Sequence, residues 1–419
     1  MGHVPSRTRK KVESLLRRAE GLLLPDRLLA SEGTHLEPGE ARRALHESGE
    51  DVARLGVGQR LSELDRAIDH AAERAAYLER YGASGVTRVH AGTSTRIYGM
   101  AVETFPHHIN NVYLVEDDSA GSLLFDCGSG RASSQRDLAL GFAIIRAAFE
   151  EDIELRAIDW CVVSHAHYDH FGGANIIKAE TQAKLAVHEL DARVLSCFDE
   201  RIVVAAKDTE VFWRRAGVVD TERARLLDMY LAAKSAFRPQ EVDRILRDGD
   251  SLGPGILVHH VPGHCPGLIC LQVQGVLLTS DHVLSRTTPH QFPQAITPFA
   301  GLEHYFHSLA KVRKLDRIDL ALGGHEDPIP GPDFPTRIDA IRLFHRDRLA
   351  KVLSLCEVPH TVLQVALDLF GEQEGYGRIL ALNEAGAHVE YLHQLGQLRI
   401  ANLDDVARSR DPVIEYSRR

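Results

Sequence analysis

No apolar run in this 419-residue sequence approaches the roughly 18 to 20 residues that a membrane-crossing helix needs. The only early apolar run, Gly21 to Leu24, is far too short to be the core of a secretory signal. Cysteines are few and show no paired spacing: Cys127, Cys161, Cys197, Cys265, Cys270 and Cys356 are scattered, which suits a reducing compartment rather than a disulfide framework. These absences together point to the cytoplasm. Excess positive charge is also missing. A formal net charge of −10 argues against a general nucleic-acid coat or an anionic membrane surface as partner. There is no Gly-x-Ser-x-Gly elbow to present a serine nucleophile. Met1-Gly2-His3-Val4-Pro5-Ser6 formally matches a myristoylation pattern, and the first 18 residues are Arg/Lys-rich like a transit peptide. Neither short signal outweighs the cytoplasmic reading.

What the chain does contain is concentrated in one stretch. Residues 160 to 173 read Trp-Cys-Val-Val-Ser-His-Ala-His-Tyr-Asp-His-Phe-Gly-Gly. The run Trp160 to Val163 has the length and β-branched content of a short buried strand. It breaks at Ser164 into a segment holding His165, His167, Asp169 and His170. Imidazole nitrogen and carboxylate oxygen suit Zn²⁺ and neighbouring first-row metals, and packing alone gives no reason to gather four such groups at a strand end. If the segment turns into a helix at Gly172-Gly173, His165 and His167 can face one way and Asp169 and His170 another, so one loop can serve two ions. Further ligand types stand downstream after apolar runs or Gly/Pro turns: His264 in Val-Pro-Gly-His-Cys-Pro-Gly, Asp281 in Leu-Leu-Thr-Ser-Asp-His, and His325 in Ala-Leu-Gly-Gly-His-Glu-Asp-Pro.

The ordered set His-x-His-x-Asp-His, a later His, a later Asp and a final His, with Leu-Phe-Asp126-Cys-Gly-Ser-Gly upstream, resembles the metallo-β-lactamase superfamily of dinuclear metallohydrolases over roughly residues 95 to 330. The resemblance implies an α/β fold, an αββα sandwich with the metals at one edge between two sheets. It implies two divalent ions, zinc first with iron or manganese as alternatives. His165, His167 and His264 would hold the first and Asp169, His170 and His325 the second, with Asp281 bridging. On this resemblance Asp169 and Asp281 would be the catalytic carboxylates. A bridging water whose pKa falls toward about 7 would supply hydroxide as nucleophile. Asp126 would support the ligand loops, and Tyr168 and His282 are candidate substrate contacts. Cys265, beside a ligand, is read as packing. Glu326 stands where many relatives have a small residue and is expected to alter the bonding around the last ligand. His107, His108, His259, His260, His304 and His307 have no comparable context and read as surface or satisfied histidines.

The length suggests two or three domains, and 44% hydrophobic with 26% charged residues is ordinary for a globular chain. Residues 1–90 read as a helical extension. Leu61, Leu64, Ile68, Ala71, Ala75 and Leu78 place one apolar stripe along a helix that packs on its neighbour, and Gly82 to Gly85 is the exit. Residues 91–335 form the catalytic body: short β-type runs Ile97 to Val102, Asn111 to Val115 and Ser122 to Phe125, then a helix from Asp137 to Glu150. Within it, residues 189–247 are helical and carry Phe212, Trp213, Met229, Tyr230 and Phe237, the expected aromatic face of a lid over substrate. Residues 336–419 read as three helices, then β-like runs His388 to His393 and Gln397 to Ala401 joined around Gly396. This order resembles a winged-helix module, and its balanced charge favours a structural or dimerising role over nucleic-acid reading.

Two dications, two carboxylates and a hydroxide leave roughly +1 in the cleft, which welcomes an anionic or polarised electrophile. The first functional expectation is an enzyme resembling glyoxalase II, cleaving a thioester, ester or lactone of a small anionic metabolite. The alternative is a single-stranded RNA endoribonuclease or phosphodiesterase similar to the lactamase-beta-like endoribonucleases. Low local basicity and the lack of a recognisable β-CASP insertion oppose it. A purely binding role is disfavoured by seven intact ligands, and a di-iron redox role by the lack of a flavin-binding segment. Homodimerisation through the terminal extensions is a further expectation.

Overall fold

The computed structural model describes residues 71–82, 85–232 and 237–419. The motifs at residues 1–18 and most of the stripe from Leu61 lie outside them. Helix α1, Ala71–Tyr81, leaves Ala75 and Leu78 exposed and buries Tyr77 instead. The expected stripe is therefore not the face that docks at this end; Tyr77 wins because its ring is larger and its hydroxyl donates to the carbonyls of Gly85 and Ala101.

Among the described residues, seven strands form one sheet in sequential order: β1 Val86–Ala91, β2 Thr95–Phe105, β3 His108–Asp117, β4 Gly121–Phe125, β5 Trp160–Val163, β6 Lys184–His188 and β7 Arg244–Leu246. The first four pair antiparallel and the rest parallel. Six more, β8 Ser251–Gly253, β9 Ile256–His260, β10 Ile269–Val273, β11 Val276–Ser280, β12 Leu320–Gly323 and β13 Ile329–Pro330, form a second sheet in the order β13-β12-β11-β10-β9-β8.

Successive strand side chains point to opposite faces, and here both faces are buried, so alternate residues serve different cores. Ile97, Val115, Phe125 and Val162 face inward to meet Val258, Leu271 and Leu278 of the second sheet. Their neighbours Tyr98, Leu114, Leu124 and Cys161 face outward under helices α2 Ala132–Phe149, α4 Ala174–Glu180 and α5 Glu189–Ser196, with the short α3 Tyr168–Phe171 between. Behind the second sheet, Val261, Leu277 and Ala321 pack beneath α8 Leu302–Val312 and α9 Phe334–Leu355, α6 and α7 being the helices next described. The result is helix, sheet, sheet, helix, the layering of the expected sandwich. No helix among the described residues is long and apolar enough to cross a membrane.

The expected lid interval holds α5, α6 Phe198–Arg215 and α7 Asp220–Ala232. Its aromatic face divides. Met229 and Tyr230 line the cleft described below, Phe237 packs on Phe171 and Phe198, and Trp213 is buried against the C-terminal helices. Those are α9, α10 Val362–Phe370 and α11 Gly375–Gln394, followed by α12 Leu403–Arg408. At Gly386 of α11 an added Cβ would lie 2.4 Å from the Phe212 ring, so only glycine lets α6 and α11 approach this closely.

Residues 388–393, expected as a strand, complete α11. Ala385, His388, Val389 and Leu392 recur at helical spacing and are all buried, and that period overrides the β-type composition. Strands β14 His360–Thr361, β15 Leu398–Ile400 and β16 Glu415–Arg418 form a small sheet in the order β14-β16-β15.

Glu116 on β3 has a buried carboxylate oxygen, Oε1, with no partner. Burial pushes its pKa up to about 7, despite the opposing effect of Arg96. A carboxyl raised in the folded state keeps its proton there while the unfolded chain releases it, so stability falls as pH rises from about 4.3 through 7. Glu116→Gln removes this penalty. Thermal melts should show the variant gaining about 2 °C on wild type at pH 8 and nothing at pH 4.

Candidate metal centre

Four strand ends deliver the site. His165 follows β5 after Ser164, and α3 then carries Asp169 and His170. His264 lies in the turn between β9 and β10, Asp281 directly follows β11, and His325 follows β12 by way of Gly324. Because β11 and β12 are parallel, their C-terminal ends open on the same edge, where the β5 loop also lies. An added Cβ at Gly324 would lie 2.6 Å from Asp281 Oδ1, so glycine keeps this position clear of the cluster.

The seven expected ligand residues converge. His165, His167 and His264 form one group with ligand-type atoms all within 4.8 Å of one another, and His165, His170 and Asp281 form a second. His170 Nε2 is 3.3 Å from Asp169 Oδ2 and 3.4 Å from Asp281 Oδ1. His325 Nε2 is 3.5 Å from Asp169 Oδ2 and 3.4 Å from Asp281 Oδ1, while the other oxygen of Asp281 is 3.5 Å from His264 Nε2. Asp281 therefore faces both sides at once. These spacings are long for hydrogen bonds. Two atoms each about 2.1 Å from one tetrahedral ion sit about 3.4 Å apart, which is the separation observed.

The orientation of the rings supports the same reading. His170 Nδ1 donates to Asp126 Oδ2 at 2.8 Å, His264 Nδ1 to the His290 carbonyl at 2.6 Å, and His325 Nδ1 to the Ile109 carbonyl at 2.7 Å. His165 Nδ1 meets Ser164 Oγ at 2.9 Å. Each bond turns the opposite nitrogen inward, the orientation that metal-binding imidazoles adopt. His165 Nε2, His264 Nε2 and Asp281 Oδ1 are buried without a protein partner. Leaving such atoms unmet costs about 1–3 kcal/mol each, and a cation between them would remove that cost.

The site is electrically divided. Burial lowers the pKa of His165 and His167 well below the usual value and lowers that of His264 as well. Burial also opposes charge on His325 and His170, but there the carboxylates win. Asp281 and Asp169 lift His325 to about 10, and Asp169, Asp281 and Asp126 lift His170 well above its usual range.

Asp126 accepts from Ser164 N at 2.7 Å and Ser164 Oγ at 2.8 Å as well as from His170, so it joins the β4 end to the histidine loop. Tyr168 lines the adjoining cleft. His282, the other expected substrate contact, does not: it is fully buried, edge-on to Tyr305, because the residue after Asp281 turns into the core. Cys265 points to Asp191 Oδ2 at 3.4 Å, in agreement with a packing role. Glu326 accepts from the Arg286 and Thr287 amides and so holds the loop after Asp281 rather than the ligand cluster. His259 is held by Gln272, and His260 stacks on His188.

His108 corrects the expectation of an idle surface histidine. Its Nε2 lies 3.2 Å from Asp169 Oδ2 and its ring 4.6 Å from that of His325, and the three form a further group of ligand type. The β2–β3 hairpin carries it there, a placement no local pattern encodes. Two other residues were invisible in the sequence. Asn110 donates to Asp169 Oδ2 at 3.1 Å, and buried Asp191 accepts from Ala166 N and Gly267 N, tying the histidine loop to the His264 turn.

The cluster opens into a cleft of about 2200 Å³. Val194 and Ile202 of α5 and α6, Met229 and Tyr230 of α7, and Ile379 and Leu380 of α11 form its apolar walls. Arg131, Arg201, Arg225 and Arg286 reach it, as do Asp228, Glu374 and Asp327.

A family model described as the metallo-beta-lactamase superfamily matches residues 106–325. Among solved structures, a beta-lactamase domain protein from Burkholderia ambifaria superimposes with a TM-score of 0.63 at 25% identity, over 80% of this chain and 95% of that one. A metallo-beta-lactamase family protein from Thermus thermophilus gives 0.60 at 23% identity, over 77% and 98%, a likeness of fold. No curated protein matches the sequence.

Asp126 has φ 67°, a conformation asparagine also tolerates, so Asp126→Asn preserves the turn while weakening its hold on His170. Zinc titration against a chromophoric chelator should show affinity lowered about 10- to 100-fold, with the melting temperature little changed.

Proposed function

Given that the chain belongs to the metallo-beta-lactamase superfamily and is a metal-dependent hydrolase, we propose that its substrate is an acyl thioester, ester or lactone carrying an anionic group. The observation that carries this reading is the cleft beside the ligand cluster, whose walls are apolar on four separate helices with arginines set among them. Its volume exceeds the roughly 300–1,000 Å³ typical of small-ligand sites, which favours an extended acyl compound over a compact metabolite.

In this reading His165, His167 and His264 hold one cation, Asp169, His170 and His325 the other, and Asp281 stands between them. When bound, two such cations polarise a carbonyl and lower the pKa of a water, most simply as zinc. The rest is done by the chain. Asp126, Ser164 and the carbonyls of Ile109 and His290 fix the imidazoles, so little reorganisation is needed during reaction. Helices α5 to α7 roof the cleft and α11 closes its far wall, excluding water and aligning the acyl group. Arg201 and Arg225 attract the anionic end. His108, half-exposed beside Asp169 and His325, is placed to meet the substrate's polar centre. Acidic Asp228, Glu374 and Asp327 interrupt the arginines, which counts against a continuous track for RNA phosphates.

The test is turnover of acyl-thioesters and lactones by zinc-loaded protein, with His165→Ala and Asp281→Ala alongside. Both substitutions should lower kcat/KM by more than about 100-fold, beyond what losing a mere supporting partner of a ligand causes. Equal rates in all three proteins would remove the proposal. Salt-sensitive binding of single-stranded RNA without turnover of any acyl compound would transfer the assignment to nucleic acid.

A further inference from the structure

We infer that Glu384, on helix α11 of the C-terminal module, is a positioning residue for His264, so that this module completes the metal centre rather than merely adjoining it. The inference rests on the reading of His264 as a ligand and extends it to a residue 120 positions further along the chain.

The connection runs through a single peptide group. The carbonyl of His290 accepts the Nδ1–H of His264 at 2.6 Å, and the N–H of the same peptide unit, on Gln291, donates to Glu384 Oε2 at 2.7 Å. A peptide group is planar and stiff, so fixing its N–H fixes the direction of its carbonyl. A carboxylate on the N–H side also draws electron density toward the carbonyl oxygen, which strengthens the bond to His264. The His290 ring lies beside the same carboxylate, its Nδ1 3.3 Å from the same Glu384 oxygen.

Glu384 is in turn held on all sides. It is 5% exposed, its other oxygen is paired with Arg348 of α9, and its own backbone carbonyl accepts from His388 Nδ1 at 2.7 Å. His388 Nε2 lies 3.2 Å from His345 Nδ1. His345, Glu384 and His388 form a fourth group of ligand type among the described residues. Arg348 already neutralises the carboxylate, however, which makes the trio a buried strut rather than a separate cation site. One face of α11 thus reaches His264, while Ile379 and Leu380 on the same helix line the cleft. Packing alone does not require this arrangement, since a buried apolar residue at 384 would join the helices without touching the 289–291 loop.

The experiment compares Glu384→Ala, Glu384→Gln and Glu384→Asp in the full chain by zinc titration against a chromophoric chelator, by visible absorption of the Co²⁺-loaded proteins, and by thermal melting. Glu384→Ala should weaken one of two zinc equivalents about 10- to 100-fold and alter the Co²⁺ spectrum. Glu384→Gln keeps an acceptor at the same reach and should recover most of both. Glu384→Asp keeps the charge beside Arg348 but withdraws the acceptor by one methylene, and should lose affinity several-fold. If Glu384→Ala does not fold, the contrast between the Gln and Asp variants carries the test. Wild-type affinity and spectrum in both folded Ala and Asp variants would overturn the inference and leave the metal centre standing. So would losses equal in all three variants that merely follow the fall in melting temperature. A wild-type protein that takes up no zinc or Co²⁺ would overturn the metal centre and this inference together.

Discussion

The constraint on which the rest of this structure depends is that buried, unpaired acceptor atoms are brought together at one edge of the two sheets. His165 Nε2, His264 Nε2 and Asp281 Oδ1 are buried without a protein partner, and the carboxylate of Asp281 lies within 3.5 Å of three imidazoles. In an ordinary core such atoms would find donors or be replaced by apolar groups, because each costs free energy when unmet. Here the donors that might have satisfied them are spent on the opposite side of each ring. The Nδ1 positions of His170, His264 and His325 are tied to Asp126, His290 and Ile109, which leaves the inward atoms to a cation.

Holding four loops in that arrangement requires a frame that does not yield. Strands buried on both faces supply it, since alternate residues of β2 to β5 pack into separate cores and a slip of one residue would exchange them. The loops are then joined directly to one another. Asp126 links β4 to the histidine loop, Asp191 links that loop to the His264 turn, and Asn111 donates to the carbonyls of Gly323 and Glu326 on either side of His325. The C-terminal helices continue this pattern. They share a core with α6 and α7, whose other faces look into the cleft. Roof, far wall and ligand cluster are thus mechanically connected, and the acyl-binding proposal rests on what those walls present.

Much of this was legible in the residues themselves. Four residues of metal-ligand type packed into residues 165–170 after an apolar strand have no packing rationale, and the later His264, Asp281 and His325 each follow a strand or a tight turn. Local chemistry marked these positions because metal binding needs rare residue types in dense clusters. The same logic failed wherever the function of a residue depends on what lies opposite it. His108 and His282 show the error in both directions: the first looked idle and stands beside Asp169, the second sat next to a marked residue and is buried against Tyr305. Trp213 was expected over substrate and serves the junction with the C-terminal helices.

The sequence by itself determined the candidate ligand residues, their order and the strand-end setting of each, because these follow from side-chain chemistry and short-range periodicity. It also determined the sandwich, through a pattern of motifs specific enough to mark the family. Only the tertiary structure decided which nitrogen of each histidine faces inward, which helices wall the cleft, and that Glu384 reaches the peptide holding His264. Those facts arise from contacts between segments up to 216 positions apart, as between His325 and Ile109, and no local pattern carries them because the partners share no sequence neighbourhood.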